Sequence, residues 1–358
     1  MFTELPKSPQ TFYNSILVQS VAALKLNTFL DNFDAERFNS DGVDRSKEFK
    51  ADESAFFFDW FLKNYESLFS AYTLLDNDAS KRLYLYLVAF RLAGHFCVKL
   101  PVDFADRRKE FEEYKAVEKS TPSRLPASGM FGRLKHFDFE LKGNRYVIDC
   151  TGLEYSLFRG QYFYSKDGVD VSPAANDIVI DGGACTGDTA AVFSNAVGAN
   201  GKVFSFDPVA DHLAILNLNV GQFPHANVRV MPYGLSDKNI IAEPLVLNGY
   251  APGFRVGDHP VPLRSIDFLV NTKEIPRIDF MKLDVEGSEI ESIRGAQESI
   301  RRFKPKLAIS LYHKPNDLFE IILHIKEKFP FYSCYLGHYS IHAEETVLYC
   351  RPSRTVAA

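Results

Sequence analysis

The sequence has few cysteines, no long apolar run and no cluster of basic residues. Its five cysteines are scattered over 358 residues without C-x-x-C spacing, so neither a disulfide framework nor a zinc site is expected. The most apolar stretch, residues 83–90, is far shorter than the roughly 20 residues that a membrane-spanning helix needs. No basic segment followed by an apolar run opens the chain, so no signal peptide is expected. These absences predict a soluble, cytoplasmic protein without a membrane span.

Charge and composition are those of an ordinary globular protein. The chain carries 41 lysines and arginines against 46 aspartates and glutamates, a formal net charge of −5, and 46% of its residues are hydrophobic. Neither half is basic, which argues against nucleic acid as a partner. The length predicts two or three structural units with hydrophobic cores of their own.

Residues 1–125 are predicted to form a mainly helical region. Apolar residues recur at helical spacing over 15–30, and residues 56–69 are rich in aromatic side chains. An aromatic stripe can bind a sugar or a partner, but a helix that packs its core face is the simpler interpretation. Oligomer formation through these helices stays an open alternative.

The pattern changes after a linker rich in Pro, Ser and Gly at residues 120–129. Residues 126–175 are predicted to form short antiparallel strands, at 137–141, 146–149 and 161–164, that lead into a domain at 176–358. In that domain strands alternate with helices, which indicates an α/β fold with a doubly wound, mostly parallel sheet. The strands are expected at 177–181, 202–207, 228–231, 278–284 and 306–312, and a closing antiparallel hairpin at 331–336 and 345–350.

A single helix is predicted after the fourth strand. Ser288 and Glu291 have the spacing of a capping box at its start, and Pro305 ends it. Ligands bind beyond the carboxyl ends of the strands in such sheets. Asp284 and Glu286, which follow the fourth strand, are therefore expected to lie at the ligand site.

The segment Asp181–Asp188 has the features of a cofactor-binding loop. Gly182 and Gly183 lack a Cβ, which lets the backbone approach a ligand, and Gly187 lets the next helix pack closely. The helix N-terminus offers N–H groups to a carboxylate or a phosphate. Asp207 ends the second strand about 20 residues beyond Gly187, where an acid binds ribose hydroxyls. Together these features predict an adenosine-containing cofactor.

The loop alone does not distinguish S-adenosylmethionine from NAD. Its spacing is Gly183-x-x-x-Gly187, so the G-x-G-x-x-G pattern is absent. It also does not open the chain, as it usually does in a dehydrogenase, and the region near the fifth strand lacks a Tyr-x-x-x-Lys couple. A glycine turn with a purely structural role is the third interpretation.

Two later segments are more specific: KLDVEGSE at 282–289 and LYHK at 311–314. With these segments, residues 145–350 resemble the FkbM family of methyltransferases, in the class I, Rossmann-like superfamily. The resemblance implies S-adenosyl-L-methionine as cofactor, with Asp207 at the ribose. The residues expected to bind the cofactor are Asp181, Gly182, Gly183, Cys185, Thr186, Gly187, Asp188 and Asp207, and, near the adenine, Ser236 and Asp237. The family more often has Asn or a small residue where Cys185 stands, and Glu where Asp207 stands. Residues 1–120 have no specific counterpart in it.

Methyl transfer from a sulfonium requires the acceptor oxygen, the methyl carbon and the sulfur to be in line. Because a hydroxyl is a weak nucleophile at neutral pH, a positioned base helps. Asp284, Glu286 and His313 are the catalytic candidates: His313 or Glu286 as base, and Asp284 as an anchor. His313 is expected to titrate near neutrality unless its surroundings perturb it, and Glu289 is expected to be a surface acid.

Each of these residues also has a structural interpretation. His313 can simply bond a neighbouring loop, and Glu286 can brace the turn before its helix. Lys282 is expected to pair with Asp181 or Asp207. Magnesium would suit the oxygen-rich cluster around Asp284, but no metal ligand is assigned.

The leading hypothesis is an O-methyltransferase that acts on a hydroxyl of a sugar, a glycan or a related polar metabolite. Methylation of nitrogen or of a small secondary metabolite is one alternative. A non-catalytic, cofactor-binding scaffold that recruits partners through the N-terminal helices is another. An NAD-dependent oxidoreductase is disfavoured by the spacing of the glycines.

Overall fold

The computed structural model describes residues 1–26, 28–29, 32, 51–101, 120–125, 134–244 and 260–353. The helices are α1 (Pro9–Leu26), α2 (Ala51–Thr73), α3 (Asp78–Ala93), α4 (Asp188–Val197), α5 (Ala210–Val220), α6 (Ile266–Asn271), α7 (Glu289–Arg294), α8 (Gln297–Phe303) and α9 (Asp317–Lys328), with a π-helical turn at Glu154–Phe158. The strands are β1 (Ser120–Pro122), β2 (Lys135–Leu141), β3 (Asn144–Cys150), β4 (Tyr164–Lys166), β5 (Val169–Val171), β6 (Ile178–Gly182), β7 (Lys202–Phe206), β8 (Val228–Met231), β9 (Gly234–Leu235), β10 (Ile240–Pro244), β11 (Pro260–Arg264), β12 (Phe280–Leu283), β13 (Lys306–Ser310), β14 (Tyr332–His338) and β15 (Thr346–Pro352).

The chain divides into two compact units, and the predicted domain boundaries stay predictions. One comprises Met1–Asp103 and Lys314–Leu348, and the other Phe104–His313 and Tyr349–Ala358. The sequence predicts an unbroken domain from 176 to 358. Residues near α9 join the first unit because they pack against α2: Trp60 Nε1 donates to Asn316 Oδ1 at 2.9 Å.

The helices α1 and α2 of the first unit pack through aromatic side chains. The ring of Phe12 in α1 lies 6.4 Å from that of Phe61 and 5.5 Å from that of Tyr72, both in α2. Trp60 and Phe61 are buried, whereas Phe56 is exposed. The aromatic stripe is therefore mainly a core face, as the simpler interpretation predicts. Among the described helices, none combines the length and the apolar character that a membrane crossing requires.

Short antiparallel strands open the second unit. β2 pairs with β1 and with β3, and β4 pairs with β5, all antiparallel. The lead-in is therefore as predicted, with two corrections. Residues 120–122 of the predicted linker form β1, and of the predicted strand 161–164 only Tyr164 lies in a strand. Residues 126–129 of the linker lie outside the described residues.

The central sheet confirms the predicted fold class. Its seven strands have the order β14-β15-β13-β12-β6-β7-β8. The pairs from β13 through β12, β6 and β7 to β8 are all parallel. β14 and β15 are neighbours joined by residues 339–345, and so short a connection makes an antiparallel hairpin. The chain folds as a mostly parallel α/β sheet preceded by a helical region.

The predicted single helix after β12 is two helices, α7 and α8. Ser288 is the N-cap of α7, but its side chain makes no capping hydrogen bond to this helix. The prediction of a capping box is therefore wrong. The break falls at Gly295, where a Cβ would lie 2.0 Å from the carbonyl oxygen of Ser236. The close approach of that distant loop explains why the helix is interrupted there.

Candidate active site

The loop after β6 is held against two neighbouring strand ends. The N–H groups of Gly183 and Ala184 both donate to the carbonyl of Phe206 at 2.9 Å. Gly183 has φ +80°, and a Cβ there would lie 1.8 Å from the carbonyl oxygen of Asp284. Glycine is therefore required at 183 because the loop passes against the backbone that follows β12. The sequence predicts close approach to a ligand, and the structure shows close approach to protein backbone.

A buried ion pair lies beneath this loop. The ammonium of Lys282 is 3.3 Å from Asp181 Oδ1, and the two side chains are 1% and 0% exposed. Asp181 also accepts hydrogen bonds from Thr189 Oγ1 at 2.9 Å and from Ser205 Oγ at 3.1 Å. The expected pairing of Lys282 with Asp181 is confirmed, and the carboxylate of Asp181 is occupied by protein groups.

Lys282 also connects the loop with the strand. Its ammonium donates to the carbonyl of Gly183 at 2.7 Å and lies 5.3 Å from the centre of the Tyr162 ring. Burial alone would lower the pKa of Lys282, but Asp181, Asp284 and Asp188 raise it above its usual value. The lysine therefore stays charged and binds the loop to β12.

Helix α4 begins in the manner that the loop predicts. Gly187 is its N-cap with φ +97°, and this glycine has no side chain to cap the helix. A Cβ at Gly187 would lie 2.7 Å from Leu216 Cδ1 of α5, which confirms its role in close helix packing. Asp188 is partly buried at this N-terminus, and burial raises the pKa of its carboxyl.

The sequence did not identify Asn219, whose side chain joins the loop at 181–188 to β3 through hydrogen bonds. This fully buried residue of α5 donates from Nδ2 to the carbonyls of Thr186 at 2.6 Å and Asp149 at 2.8 Å. Its Oδ1 accepts the N–H of Asp149 at 2.8 Å. An amide within an apolar helical segment is the only signal that could have pointed to it.

Asp207, the acid predicted to bind the ribose, is buried, and its oxygens contact protein groups. It is 4% exposed and accepts the N–H of Cys185 at 3.0 Å and that of Val209 at 2.9 Å. His212 Nδ1 lies 3.1 Å from both of its oxygens. The structure therefore uses this carboxylate to hold the loop, and its contact with ribose stays a prediction.

Cys185 turns its side chain toward protein. Its φ is +45°, and it packs on Leu134 and Ile215. Burial raises the pKa of its thiol well above the usual value, so the group is a neutral thiol. Contact of this loop position with a cofactor would therefore involve the backbone.

Ser236 and Asp237 follow β9 at the next loop. The N–H of Ser236 donates to the carbonyl of Arg264 at 3.1 Å, and Ser236 is buried. Asp237 is exposed. Their predicted place near the adenine stays a prediction.

Asp284 lies at the carboxyl end of β12 between two tyrosines. Tyr162 donates to its Oδ2 and Tyr312 to its Oδ1, both at 2.9 Å. Burial alone would raise the pKa of Asp284, but the charges of Lys282 and His313 lower it below the usual value. Asp284 is therefore an ionised acceptor of hydrogen bonds at neutral pH.

His313 is surrounded by carboxylates. Its Nδ1 is 2.9 Å from Glu289 Oε1, and its Nε2 is 3.4 Å from Asp284 Oδ1 and 3.5 Å from Glu286 Oε2. Burial alone would lower the pKa of His313, but Glu289 above all, with Asp284 and Glu286, raises it to about 10. The three carboxylates are the kind of perturbation that moves a histidine away from neutral titration, and they keep the ring as an imidazolium.

The two glutamates of this cluster differ sharply in exposure. The side chain of Glu289 is 1% exposed, so the expectation of a surface acid is wrong. That of Glu286 is 39% exposed, the largest fraction among the three carboxylates. Glu286 has a left-handed backbone with φ +53° and precedes Gly287 with φ +93°. It is the most exposed carboxylate of the cluster, so solvent, and hence an acceptor, reaches it most easily.

The described residues hold one group with the ligand types of a metal site. Ligand atoms of Asp284, Glu289 and His313 lie within 4.8 Å of one another. Two of these ligand atoms, Glu289 Oε1 and His313 Nδ1, are hydrogen-bonded to each other. Magnesium binding stays a prediction.

Comparison with known proteins agrees with this geometry. A crystal structure of methyltransferase FkbM from Methylobacillus flagellatus KT shares the fold: it aligns with 81% of this chain and 59% of its own, with a TM-score of 0.51 and 20% identity. The class of fold is that of the class I methyltransferases. Residues 181–331 match the family model described as the methyltransferase FkbM domain. This match confirms the resemblance predicted from the sequence.

One curated relative also matches. The hexuronic acid methyltransferase AglP of Haloferax volcanii is 29% identical over 130 residues, which make up 35% of this chain and 52% of AglP. The chain therefore spans about half the length of the curated relative that it matches.

Proposed function

We propose that this protein is an S-adenosylmethionine-dependent methyltransferase that methylates a hydroxyl oxygen of a sugar, a glycan or a related polar metabolite. One observation carries the proposal: the loop at 181–188 lies against the backbone of Asp284, a member of the acid cluster. Gly183 lies against the backbone of Asp284, and Lys282 bonds the carbonyl of Gly183 while its charge acts on Asp284. A cofactor at the loop would therefore lie beside the candidate base.

The groups at the loop suit the amino-acid part of the cofactor. The N-terminus of α4 begins at a glycine N-cap without a side chain, and the N–H groups of a helix start suit a carboxylate. The carboxyl group of Asp188, at the same helix end, suits an ammonium group. When bound, S-adenosylmethionine supplies an electrophilic methyl group. Asp207 holds Cys185 in place, so its main contribution is to the shape of the loop.

Of the two bases that the sequence leaves open, the proposal takes Glu286. His313 already carries its proton at neutral pH, so it cannot accept one from an acceptor hydroxyl. Glu286 is the accessible carboxylate, and it takes the proton as the hydroxyl oxygen gains the methyl group. Asp284 accepts a hydrogen bond from the acceptor and orients it.

The acceptor class follows from the same groups and from the relative. Carboxylates such as Asp284 and Glu286 bind sugar hydroxyls through hydrogen bonds. The name of AglP specifies hexuronic acid as its substrate, so sugars of this class, free and within glycans, are the first acceptors to test. Methylation of nitrogen and of small secondary metabolites are the competing outcomes of the same assay.

The test has two stages. Calorimetry with S-adenosylhomocysteine and with NAD should show binding of the first alone, and a protein that binds only NAD would refute the cofactor. Turnover is then measured over a panel of acceptors for the native protein, Glu286→Gln and the matched exposed variant Glu298→Gln. We expect Glu286→Gln alone to lose about 10²-fold or more in kcat, the usual contribution of a general base.

Three further outcomes can be read from the same preparations. Cofactor binding without turnover of any acceptor would favour a scaffold. Loss of turnover in EDTA, restored by magnesium, would establish the metal. Gel filtration tests the predicted oligomer.

A further inference from the structure

A buried glutamate holds the imidazolium at the centre of the acid cluster. Glu289 is the first residue of α7, and its Oε1 lies 2.9 Å from His313 Nδ1. We propose that Glu289 is a positioning residue of the methyl-transfer site, which orients His313 and, through it, the carboxylates of Asp284 and Glu286. The inference rests on the proposed function, since it takes Glu286 as the base.

The geometry shows how one contact sets two others. The two nitrogens of an imidazole ring lie on different edges of the ring, so fixing one of them fixes the direction of the other. With Nδ1 bonded to Glu289, Nε2 faces Asp284 Oδ1 at 3.4 Å and Glu286 Oε2 at 3.5 Å. Without that bond the ring could rotate, and the two carboxylates would lose the cation that separates their charges.

The same oxygen of Glu289 holds the backbone that carries the base. It accepts the N–H of Val285 at 2.9 Å and that of Gly287 at 3.4 Å. These two residues flank Glu286, whose left-handed backbone depends on the shape of the turn. One buried carboxylate therefore fixes both the turn that presents Glu286 and the ring that faces it.

Charge supports the same role. The charged groups that face His313 are Glu289, Asp284 and Glu286, and Lys282 acts on Asp284 from the strand side. Burial opposes protonation of His313, and Glu289 makes the largest contribution in favour of it. Replacing Glu289 by the isosteric but neutral glutamine should therefore lower the pKa of His313.

The test compares Glu289→Gln with Glu291→Gln, a matched change on the same helix. NMR titration of histidine-labelled protein, with His313 assigned from His313→Asn, follows the ring without any need for turnover. We expect His313 to stay protonated beyond pH 9 in the native protein and in Glu291→Gln. In Glu289→Gln its proton affinity should fall by about tenfold or more, which is one pKa unit.

Kinetics then separates positioning from cofactor binding. Glu289→Gln should lower kcat by at least about tenfold, within the range that misplacement of a reacting group produces, while the Kd for S-adenosylhomocysteine stays unchanged. Glu289→Asp keeps the charge but shortens the side chain, so it should keep His313 protonated and still lower kcat. That combination assigns the role to geometry and not to charge alone.

Two results would overturn the inference: unchanged titration of His313 in Glu289→Gln, or native kcat in either Glu289 variant. If Glu289→Gln fails to fold, Glu289→Asp decides by its kcat. Failure of the proposed function looks different. The native protein would then neither bind S-adenosylhomocysteine nor methylate any acceptor. The titration would still report whether Glu289 raises the pKa of His313.

Discussion

The buried pair of Lys282 and Asp181 gives the sharpest test of how the cofactor loop is held. Lys282→Met keeps the length of an unbranched side chain and removes its charge. The carboxylate of Asp181 would remain buried without its cation. Among the described residues, hydrogen bonds from Thr189 and Ser205 would still stabilise its charge. At 3.3 Å, an effective dielectric constant of 20 gives an attraction of about 5 kcal/mol between the charges. Desolvation of the ammonium offsets part of it, and removing one partner of a buried pair typically destabilises by about 3–5 kcal/mol.

We expect Lys282→Met to lower the free energy of unfolding by about 3 kcal/mol, the low end of that range, because the two hydroxyls remain. Asp181→Asn in the Lys282→Met background removes the stranded charge, so the double variant should be about 2 kcal/mol more stable than Lys282→Met alone, and the effects of the two changes should not add. Because the folded-state pKa of Lys282 is raised, the stabilisation is complete below the ordinary lysine pKa of about 10.4 and is lost as pH rises through the folded value.

The assay has to report the second unit. The single tryptophan, Trp60, lies in the first unit, so its fluorescence is unsuitable. Urea unfolding followed by circular dichroism, with hydrogen exchange of the β6 and β12 amides, measures the relevant transition. If Lys282→Met lowers the free energy of unfolding by less than about 1 kcal/mol, or if the effects of the two changes add in the double variant, the ion pair of Lys282 and Asp181 does not stabilise the sheet.

Three other predictions concern the loop. Gly183→Ala should abolish binding of S-adenosylhomocysteine because its Cβ would meet a backbone carbonyl at 1.8 Å, whereas Gly198→Ala, also at positive φ but with open space around its Cβ, should lose only about 1 kcal/mol of stability; equal effects would contradict the steric argument. Asn219→Ala leaves three buried backbone groups unpaired and should cost about 3 kcal/mol in urea unfolding, against almost nothing for the exposed Asn217→Ala; similar losses would contradict the role of these hydrogen bonds. Cys185→Asn should keep the affinity for S-adenosylhomocysteine in calorimetry within about twofold, since Asn tolerates the left-handed backbone; a large loss would show that the thiol itself matters.

The strands and the loop could be predicted because their signals are local. Apolar runs, a glycine turn and a helix start lie within a few residues of one another, and the five parallel strands fall within two residues of their predicted ends. The position of Asp284, Glu286 and His313 at one sheet edge followed from the same rule about strand ends. The family resemblance then supplied the cofactor that the loop could not specify.

The contacts that the sequence did not predict join residues far apart in the chain. Gly295 interrupts a helix because the backbone of Ser236 passes against it. The sequence predicts a surface acid at Glu289, because nothing nearby in the sequence indicates that His313 will pack against it. Asp207 has the position of a ribose-binding acid, yet the N–H of Cys185 and the ring of His212 occupy its oxygens. These partners are decided by packing, so their effects on charge could not be predicted either.

The backbone at Glu286 has a consequence for engineering. A non-glycine residue in the left-handed region costs about 1–2 kcal/mol, and here φ is +53°. Glycine at 286 would remove that cost, together with the carboxylate that the proposed chemistry needs. Selection of variants for thermostability alone would therefore favour Glu286→Gly and enrich an inactive protein, so a stabilised form of this protein should be selected with position 286 held constant.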